Sequence, residues 1–386
     1  MNAERAIYIH VPFCISKCFY CDFNSYPGME EIFNSYAEAV AKEMQTAERG
    51  QSRGATLYIG GGTPTVMNEQ QLMVMTDAAR SGLGLRRDGE ATIEANPLTV
   101  DHSKLEGLLT AGFNRISIGA QSFEDELLKR IGRGHTAAEA RQAVADARLA
   151  GFANLSLDLI YSLPDQSLEM WRDTLRETVD LKPEHVSLYE LTVEPGTPFA
   201  KLASQGKLDL PGEEQQIEMY SLAESVLESA GYRRYEISNF AKPGFECAHN
   251  QFYWRNDEYY GFGAGAVSYI GGKRMKNVLS PQEYVERIRE SGSAVETSEE
   301  LSPEGQMGET MMLGLRMTEG VDCIRFRERF GVDVDRIYEA ELERLTEQGL
   351  VEFCDARLRL THRGTLLANE VMAEFVRPEA VVSSEV

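Results

Sequence analysis

The stretch His10-Val-Pro-Phe-Cys14-Ile-Ser-Lys-Cys18-Phe-Tyr-Cys21 follows directly on the apolar run Ala6-Ile-Tyr-Ile9. Spaced four and three residues apart, three thiolates can converge from one short loop, but three leave a tetrahedral zinc one ligand short. A 4Fe-4S cluster held by three thiolates instead keeps one iron open to a non-protein ligand. Other readings compete. Disulfides fit poorly, because the few residues before the first apolar run predict no secretory leader and the close spacing suits metal better than bridges. Zinc would need His10 as its fourth ligand, from an awkward place on the preceding strand. Thiols that merely pack are the last alternative, and the scattered Cys247, Cys323 and Cys354 are expected to be small buried hydrophobes.

Composition sets outer limits. A chain of 386 residues with 42% hydrophobic content can bury a large core and is expected to form one large domain and a smaller one. Its formal net charge of -22 argues against broad phosphate-backbone binding, so no nucleic-acid partner is expected. The compact basic cluster Lys273, Arg274 and Lys276 reads as a solvated hairpin. No apolar run is long enough to span a bilayer, and a cytoplasmic location is expected.

Short β-like runs alternate with helical periodicity through residue 234. Strands are predicted at Ala6–Val11, Thr56–Ile59, Ala91–Ala95, Arg115–Gly119, Asn154–Ile160 and His185–Leu191. Helices are predicted at Glu31–Ala47, Glu69–Arg80, Ser103–Ala111, Ala137–Ala150, Leu168–Leu181 and Glu213–Ala230. Six such units imply an α/β fold, a partial (β/α)6 barrel with its site at the carboxyl ends of the strands. Residues 235–300 read as a Gly- and aromatic-rich connecting segment, closing in an acidic linker over Ser291–Glu304. Residues 301–377 read as three helices over Gly305–Met317, Cys323–Phe330 and Arg336–Gln348, a two-stranded wing turning at Asp355-Ala-Arg, and a last helix over Thr365–Val376. Such a domain is small, mainly helical and winged-helix-like, and residues 378–386 are expected to be a frayed tail. There is no internal repeat at a fixed period.

Polar groups gather at the predicted strand ends. Gly60-Gly-Gly-Thr63-Pro-Thr closes the second strand, where glycines let a ligand approach the backbone. Glu94 ends the third and suits ribose hydroxyls. Gln121, Arg133 and Asp158 stand at or after later strands. Singly each is an ordinary structural residue; together at one barrel mouth they point to a site.

Cys-x-x-x-Cys-x-x-Cys, Gly-Gly-Gly-Thr-Pro-Thr, Ile-Glu-Ala-Asn-Pro and Ile-Gly-Ala-Gln-Ser-Phe together resemble the radical S-adenosylmethionine (SAM) proteins of the anaerobic coproporphyrinogen III oxidase group. The resemblance covers nearly the whole chain. It implies that Cys14, Cys18 and Cys21 hold a 4Fe-4S cluster whose open iron is chelated by SAM. It also implies that Tyr8, Tyr20, Gly61, Gly62, Thr63 and Glu94 contact that SAM, while Gln121, Arg133, Asp158 and Glu190 match positions that meet a second SAM in the oxidase.

Two departures redirect the implied activity. After Cys21 the chain reads Asp22-Phe23, where the decarboxylating members have Gly-Cys, and strand one is expected to begin near residue 6, where the oxidases carry an extended segment ahead of it. His249-Asn-Gln-Phe-Tyr-Trp254, in turn, matches the His-Asn-x-x-Tyr-Trp signature of the haem-chaperone branch of the group. An imidazole can ligate haem iron and aromatic rings can lie against a porphyrin, so His249 is the expected iron ligand and Tyr253 a haem contact. The alternative from the residues alone is an aromatic patch packing the barrel edge. The expected function is therefore a haem chaperone that carries a SAM-ligated cluster and passes haem to respiratory or storage haem proteins. An oxygen-independent coproporphyrinogen III dehydrogenase is the rival, and a radical-SAM methyltransferase a third reading. Peripheral membrane association and a homodimer are compatible with the resemblance.

Overall fold

The computed structural model describes residues 4–47 and 52–376; the tail expected beyond Pro378 lies outside the described residues. Six parallel strands form its centre, neighbours in chain order: β1 (Glu4–Val11), β4 (Arg53–Gly61), β5 (Ala91–Ala95), β6 (Arg115–Gln121), β7 (Leu155–Tyr161) and β8 (His185–Glu190). Between the first two, β2 (Phe13–Cys14) and β3 (Tyr26–Pro27) are two-residue strands paired within the cysteine loop. Parallel neighbours need long crossovers. These are α1 (Phe33–Thr46), α2 (Glu69–Leu83), α3 (His102–Thr110), the pair α4 (Asp125–Arg130) and α5 (Ala137–Ala150), and α6 (Leu168–Leu181). Local chemistry fixes their ends. Asn68 and Gln71 form a capping box at the start of α2, and Gly84 takes the left-handed conformation that stops it.

A period-two pattern divides each central strand between two environments. Ile7, Ile9 and Val11 of β1, Leu57 and Ile59 of β4, and Leu155, Leu157 and Leu159 of β7 join the core shared with the helices. The alternate residues, among them Tyr8, Tyr58, Glu94, Ser117, Asp158 and Ser187, make the other face polar. The expected partial barrel is thus present, with a polar interior that leads up to its mouth.

The segment expected to connect the domains is built into the same sheet. After α7 (Pro198–Ser204) and α8 (Glu213–Ser229), β9 (Arg233–Glu236) and β10 (Asn239–Ala241) extend one edge, with β10 antiparallel to β8. Helix α9 (Ala248–Trp254) then precedes β11 (Tyr259–Phe262), which pairs parallel with β1 at the other edge. β12 (Val267–Ile270), β13 (Lys273–Asn277) and β14 (Val295–Glu300) continue outward antiparallel, with α10 (Pro281–Ser291) between the last two. The six central strands therefore sit inside a twelve-stranded mixed sheet. Where an acidic linker was expected, β14 is an edge strand. It is exposed along its whole length, so no apolar face marks it in the sequence, and Glu300 and Glu299 pair with Lys273 and Arg274 of β13.

A separate C-terminal domain follows. It comprises α11 (Pro303–Gly314), β15 (Val321–Asp322), α12 (Cys323–Phe330), α13 (Val334–Ile337), α14 (Glu339–Glu347), β16 (Val351–Cys354), β17 (Arg357–Leu360), α15 (His362–Leu366) and α16 (Ala368–Ala373). Its own core includes Met311, Phe326, Leu342, Leu358 and Phe375. The wing turns at Asp355-Ala356, both left-handed, as a tight hairpin demands. Two of the expected helices are each broken into two shorter ones. Cys323 and Cys354 are half-buried here rather than core residues, while Cys247 is fully buried.

Candidate functional site

Strand β1 delivers the cysteine loop to the barrel mouth, and neighbouring backbone holds it there. The Tyr26 amide donates to the Pro12 carbonyl at 2.8 Å, the Thr63 amide to Phe13 at 2.7 Å and the Gly62 amide to Val11 at 2.9 Å. The Phe19 amide donates to Ile131 across the mouth at 3.0 Å. The close approach of the β4 turn requires glycine. Gly61 sits at φ 110°, and a Cβ on Gly62 would lie 2.5 Å from the Phe13 carbonyl oxygen.

Cys14, Cys18 and Cys21 are all free and half-buried. Cys14 Sγ lies 3.5 Å from Thr63 Oγ1, and Arg133 Nη1 donates to Cys18 Sγ at 3.6 Å. Burial pushes the Cys14 and Cys21 thiols up, and hydrogen bonds partly offset it. Among the described residues, no three His, Cys, Asp or Glu side chains converge as they would round a single metal ion. His10, the fourth ligand that zinc would need, has its ring nitrogens engaged by Tyr8 Oη at 3.1 Å and the Asn24 carbonyl at 2.9 Å. The three thiols line one cavity together, and three thiolates can hold a 4Fe-4S cluster with one iron left open.

That cavity measures about 400 Å³, within the usual range for a small-molecule site. It gathers residues predicted from far-apart segments: the three cysteines, Tyr20, Gly61, Gly62, Thr63, Glu94, Gln121, Arg133, Asp158 and Glu190 all line it. Tyr8 lines an adjoining space that shares Gly61 and Glu94 with it. Glu94 accepts from Tyr58 Oη at 2.8 Å and from the Gly61 amide at 3.1 Å; burial nevertheless pushes its carboxyl up to about 7. Asp158 accepts from Ser117 at 2.9 Å, and its carboxyl too is raised by burial. Gln121 is left-handed at φ 66°, and its Oε1 is buried without a donor. A buried acceptor without a partner is costly, and a ligand bearing a donor would satisfy it. In these respects the residues fit SAM beside a cluster held by three thiolates.

His249 and Tyr253 are not brought to this mouth. Helix α9 packs on β1 and β4, and His249 is only 1% exposed. Its Nδ1 bonds Thr56 Oγ1 at 2.9 Å and its Nε2 bonds Tyr253 Oη at 3.1 Å. Glu90 caps the helix by accepting from the Ala248 and His249 amides, each at 2.9 Å. Burial, reinforced by Arg115, lowers the imidazole to about 3 and keeps it neutral. As placed, His249 offers no free nitrogen to an iron.

The sequence reading missed Tyr58, which anchors Glu94, and Tyr189, which lines the cavity while 46% exposed. Period-two counting back from Gly60 points Tyr58 inward, and the same count from Asp158 across to β8 would have found Tyr189.

Residues 8–178 match the model of the Radical SAM superfamily, and residues 301–367 that of the HemN C-terminal domain. The chain is 43% identical to the haem chaperone HemW of Bacillus subtilis (strain 168), over 96% of this chain and 99% of that one. It is 34% identical to the haem chaperone HemW of Escherichia coli (strain K12), over 96% and 98% of the two chains. Among solved structures, coproporphyrinogen III oxidase (HemN) of Escherichia coli, a radical SAM enzyme, superposes with a TM-score of 0.84 at 25% identity, over 97% of this chain and 90% of the other.

Proposed function

The chain belongs to the HemW family of radical SAM proteins, and on that premise we propose that it is a cytoplasmic haem chaperone, binding haem and passing it to acceptor haem proteins. In this reading Cys14, Cys18 and Cys21 hold a 4Fe-4S cluster. Tyr8, Tyr20, Gly61, Gly62, Thr63 and Glu94 surround a SAM on its open iron, with Gln121, Arg133, Asp158 and Glu190 completing the wall. When bound, a cluster with an open iron supplies one-electron chemistry there. The chain's own part is to hold and shield it. Arg133 places positive charge beside Cys18, Thr63 bonds Cys14, and Glu94 offers acceptors at the end of β5.

The observation that carries the chaperone reading over the decarboxylase is Phe23. It lines the mouth, 61% exposed, as do Ile15 and Leu98, which are 60% and 42% exposed. The decarboxylating members have a thiol at that position. Here an exposed ring stands there instead, which suits a porphyrin face or the surface of a haem protein and supplies no proton donor.

His249 and Tyr253 are the haem contacts in this proposal, on a condition set by the geometry: α9 must lift from the barrel floor. The Thr56 bond to His249 Nδ1 and the Glu90 bonds to the Ala248 and His249 amides would break, at a cost of about 1 kcal/mol each, while the Tyr253 bond, made within α9, moves with the helix. An imidazole freed in this way ligates iron through its neutral form.

The test is anaerobic. The cluster is reconstituted, haem is titrated in, and coproporphyrinogen turnover is assayed with SAM and a reductant in the same preparation. Haem binding without turnover is expected; many turnovers without haem binding would overturn the proposal in favour of the dehydrogenase, which the likeness to HemN keeps in view. His249→Ala should weaken haem binding and leave cluster iron intact. An unchanged haem spectrum and affinity would remove His249 as the ligand.

A further inference from the structure

A second cavity, of about 230 Å³, opens where the end of α9 meets the C-terminal domain. Its charge runs against the rest of the molecule. In a chain of net charge -22, four arginines line it, Arg255, Arg325, Arg329 and Arg357, against two carboxylates, Glu319 and Asp322. Most of these are matched. Arg357 reaches Asp322 at 3.3 Å and Glu319 at 3.7 Å, Arg255 reaches Glu319 at 3.3 Å, and Arg325 pairs with Asp257. Arg329 differs, because among the described residues it donates only to neutral acceptors, the Asn256 carbonyl at 2.8 Å and Tyr269 Oη at 3.2 Å.

Trp254 is the second unfilled group. Arg316 lies over its ring, 4.4 Å from the centroid, which fixes the indole and polarises it as a donor. Its Nε1 is buried and finds no acceptor among the described residues. Trp254 and Phe326 also make part of the lining aromatic. The lining therefore holds one buried N–H without an acceptor and one arginine without a carboxylate. A single carboxylate supplies both, and bonds to an ionised acceptor are the stronger kind. A dianion is disfavoured, because Glu319 and Asp322 share the space.

We propose that the cleft between α9 and the C-terminal domain binds the carboxylate of a planar or apolar molecule, with Trp254 Nε1 and Arg329 as its donors. The volume is below that of a site for a drug-sized ligand, so it admits a small aromatic carboxylate whole, or only the carboxylate edge of something larger. The carboxylate site does not depend on the function proposed above; assigning it to a propionate edge of haem does.

The test uses the full chain and calorimetric titration with benzoate and its neutral analogue benzamide. Saturable benzoate binding is expected, with benzamide at least tenfold weaker. Arg329→Gln should weaken benzoate at least tenfold. Trp254→Phe, which keeps an aromatic ring but removes the N–H, should weaken it severalfold. Equal affinity for the two probes, no benzoate binding, or an unchanged affinity in both variants would overturn the site. Competition separates the sources. If haem displaces benzoate and haem dimethyl ester does not, the occupant is a propionate; if neither displaces it, the cleft takes a separate small carboxylate. Benzoate binding in a protein that fails to bind haem would sink the chaperone reading and leave the cleft standing.

Discussion

Gly62→Ala is the sharpest perturbation of the cluster loop, because the side chain it adds meets backbone. The new Cβ would stand 2.5 Å from the Phe13 carbonyl oxygen and 2.9 Å from both the Phe13 nitrogen and the Val11 oxygen. Ordinary contacts of this kind lie near ~3.5 Å, so the strand and the glycine turn must part by roughly 1 Å. No rotamer change relieves that. Parting them also stretches the Gly62 to Val11 and Thr63 to Phe13 hydrogen bonds, 2.9 and 2.7 Å long. Overpacking costs about 1–3 kcal/mol and each of the two weakened bonds up to about 1 kcal/mol, for a total of about 1–5 kcal/mol concentrated at Cys14. A domain with about 5–15 kcal/mol of stability survives this, but the thiols lose their register. After anaerobic reconstitution, iron per chain and the cluster absorption of Gly62→Ala should fall below half of wild type, with the far-ultraviolet circular dichroism preserved. Gly212→Ala, whose Cβ would meet nothing within 4 Å, is the matched control. A Gly62→Ala protein with full iron and unchanged melting would refute the account of how β4 holds the loop.

Other expectations follow from the same geometry. Cys18→Ser should lose cluster iron while leaving the fold unchanged, and retention of a complete cluster would remove Cys18 as a ligand. Glu94, raised to about 7 by burial, favours its protonated form in the folded protein. Its contribution to stability is therefore full below the ordinary carboxylate pKa and is lost as pH rises through about 7, so the cluster-free protein should melt lower at pH 8 than at pH 6. Glu94→Gln should flatten that difference; an identical pH slope in the two proteins would disprove the assignment. The same substitution should weaken SAM about tenfold or more at pH 8, as loss of a charged acceptor does, measured by equilibrium dialysis on the reconstituted protein. Arg133→Gln removes the cation beside Cys18 and should leave iron content intact while shifting the cluster's reduction potential negative; an unchanged potential would mean that this charge does not act on the cluster.

What the sequence made legible, and what it hid, divides along physical lines. All six central strands were found because Ile, Leu and Val alternate there against a helical layer, though β4 at less than half its length, and α5, α6 and α12 were found whole because their periodicity is clean. The site residues of the mouth were legible for a different reason: three thiols, a glycine run and carboxylates at strand ends are chemically conspicuous. Strand β14 was hidden because a fully exposed edge strand, Val295–Glu300, buries nothing and so carries no pattern. His249 shows the opposite failure. In the sequence, a histidine in a run of aromatics reads as a ligand on a surface. In the fold, Glu90 from before β5 caps its helix, Thr56 from β4 takes one ring nitrogen, and α9 becomes the floor of the barrel. Those partners lie more than 150 residues away, so no local pattern could reveal them. The mouth and the His-Asn-Gln-Phe-Tyr-Trp helix are joined by a column of rings: Tyr58 is 5.1 Å from His249 and bonds Glu94, while Tyr8 is 6.4 Å from His249 and bonds His10. Any movement that frees His249 must disturb this column, and through Tyr58 the acceptor proposed for SAM. The proposed cluster site and haem contacts are thus mechanically linked, which would give a radical-SAM scaffold a physical reason to carry both.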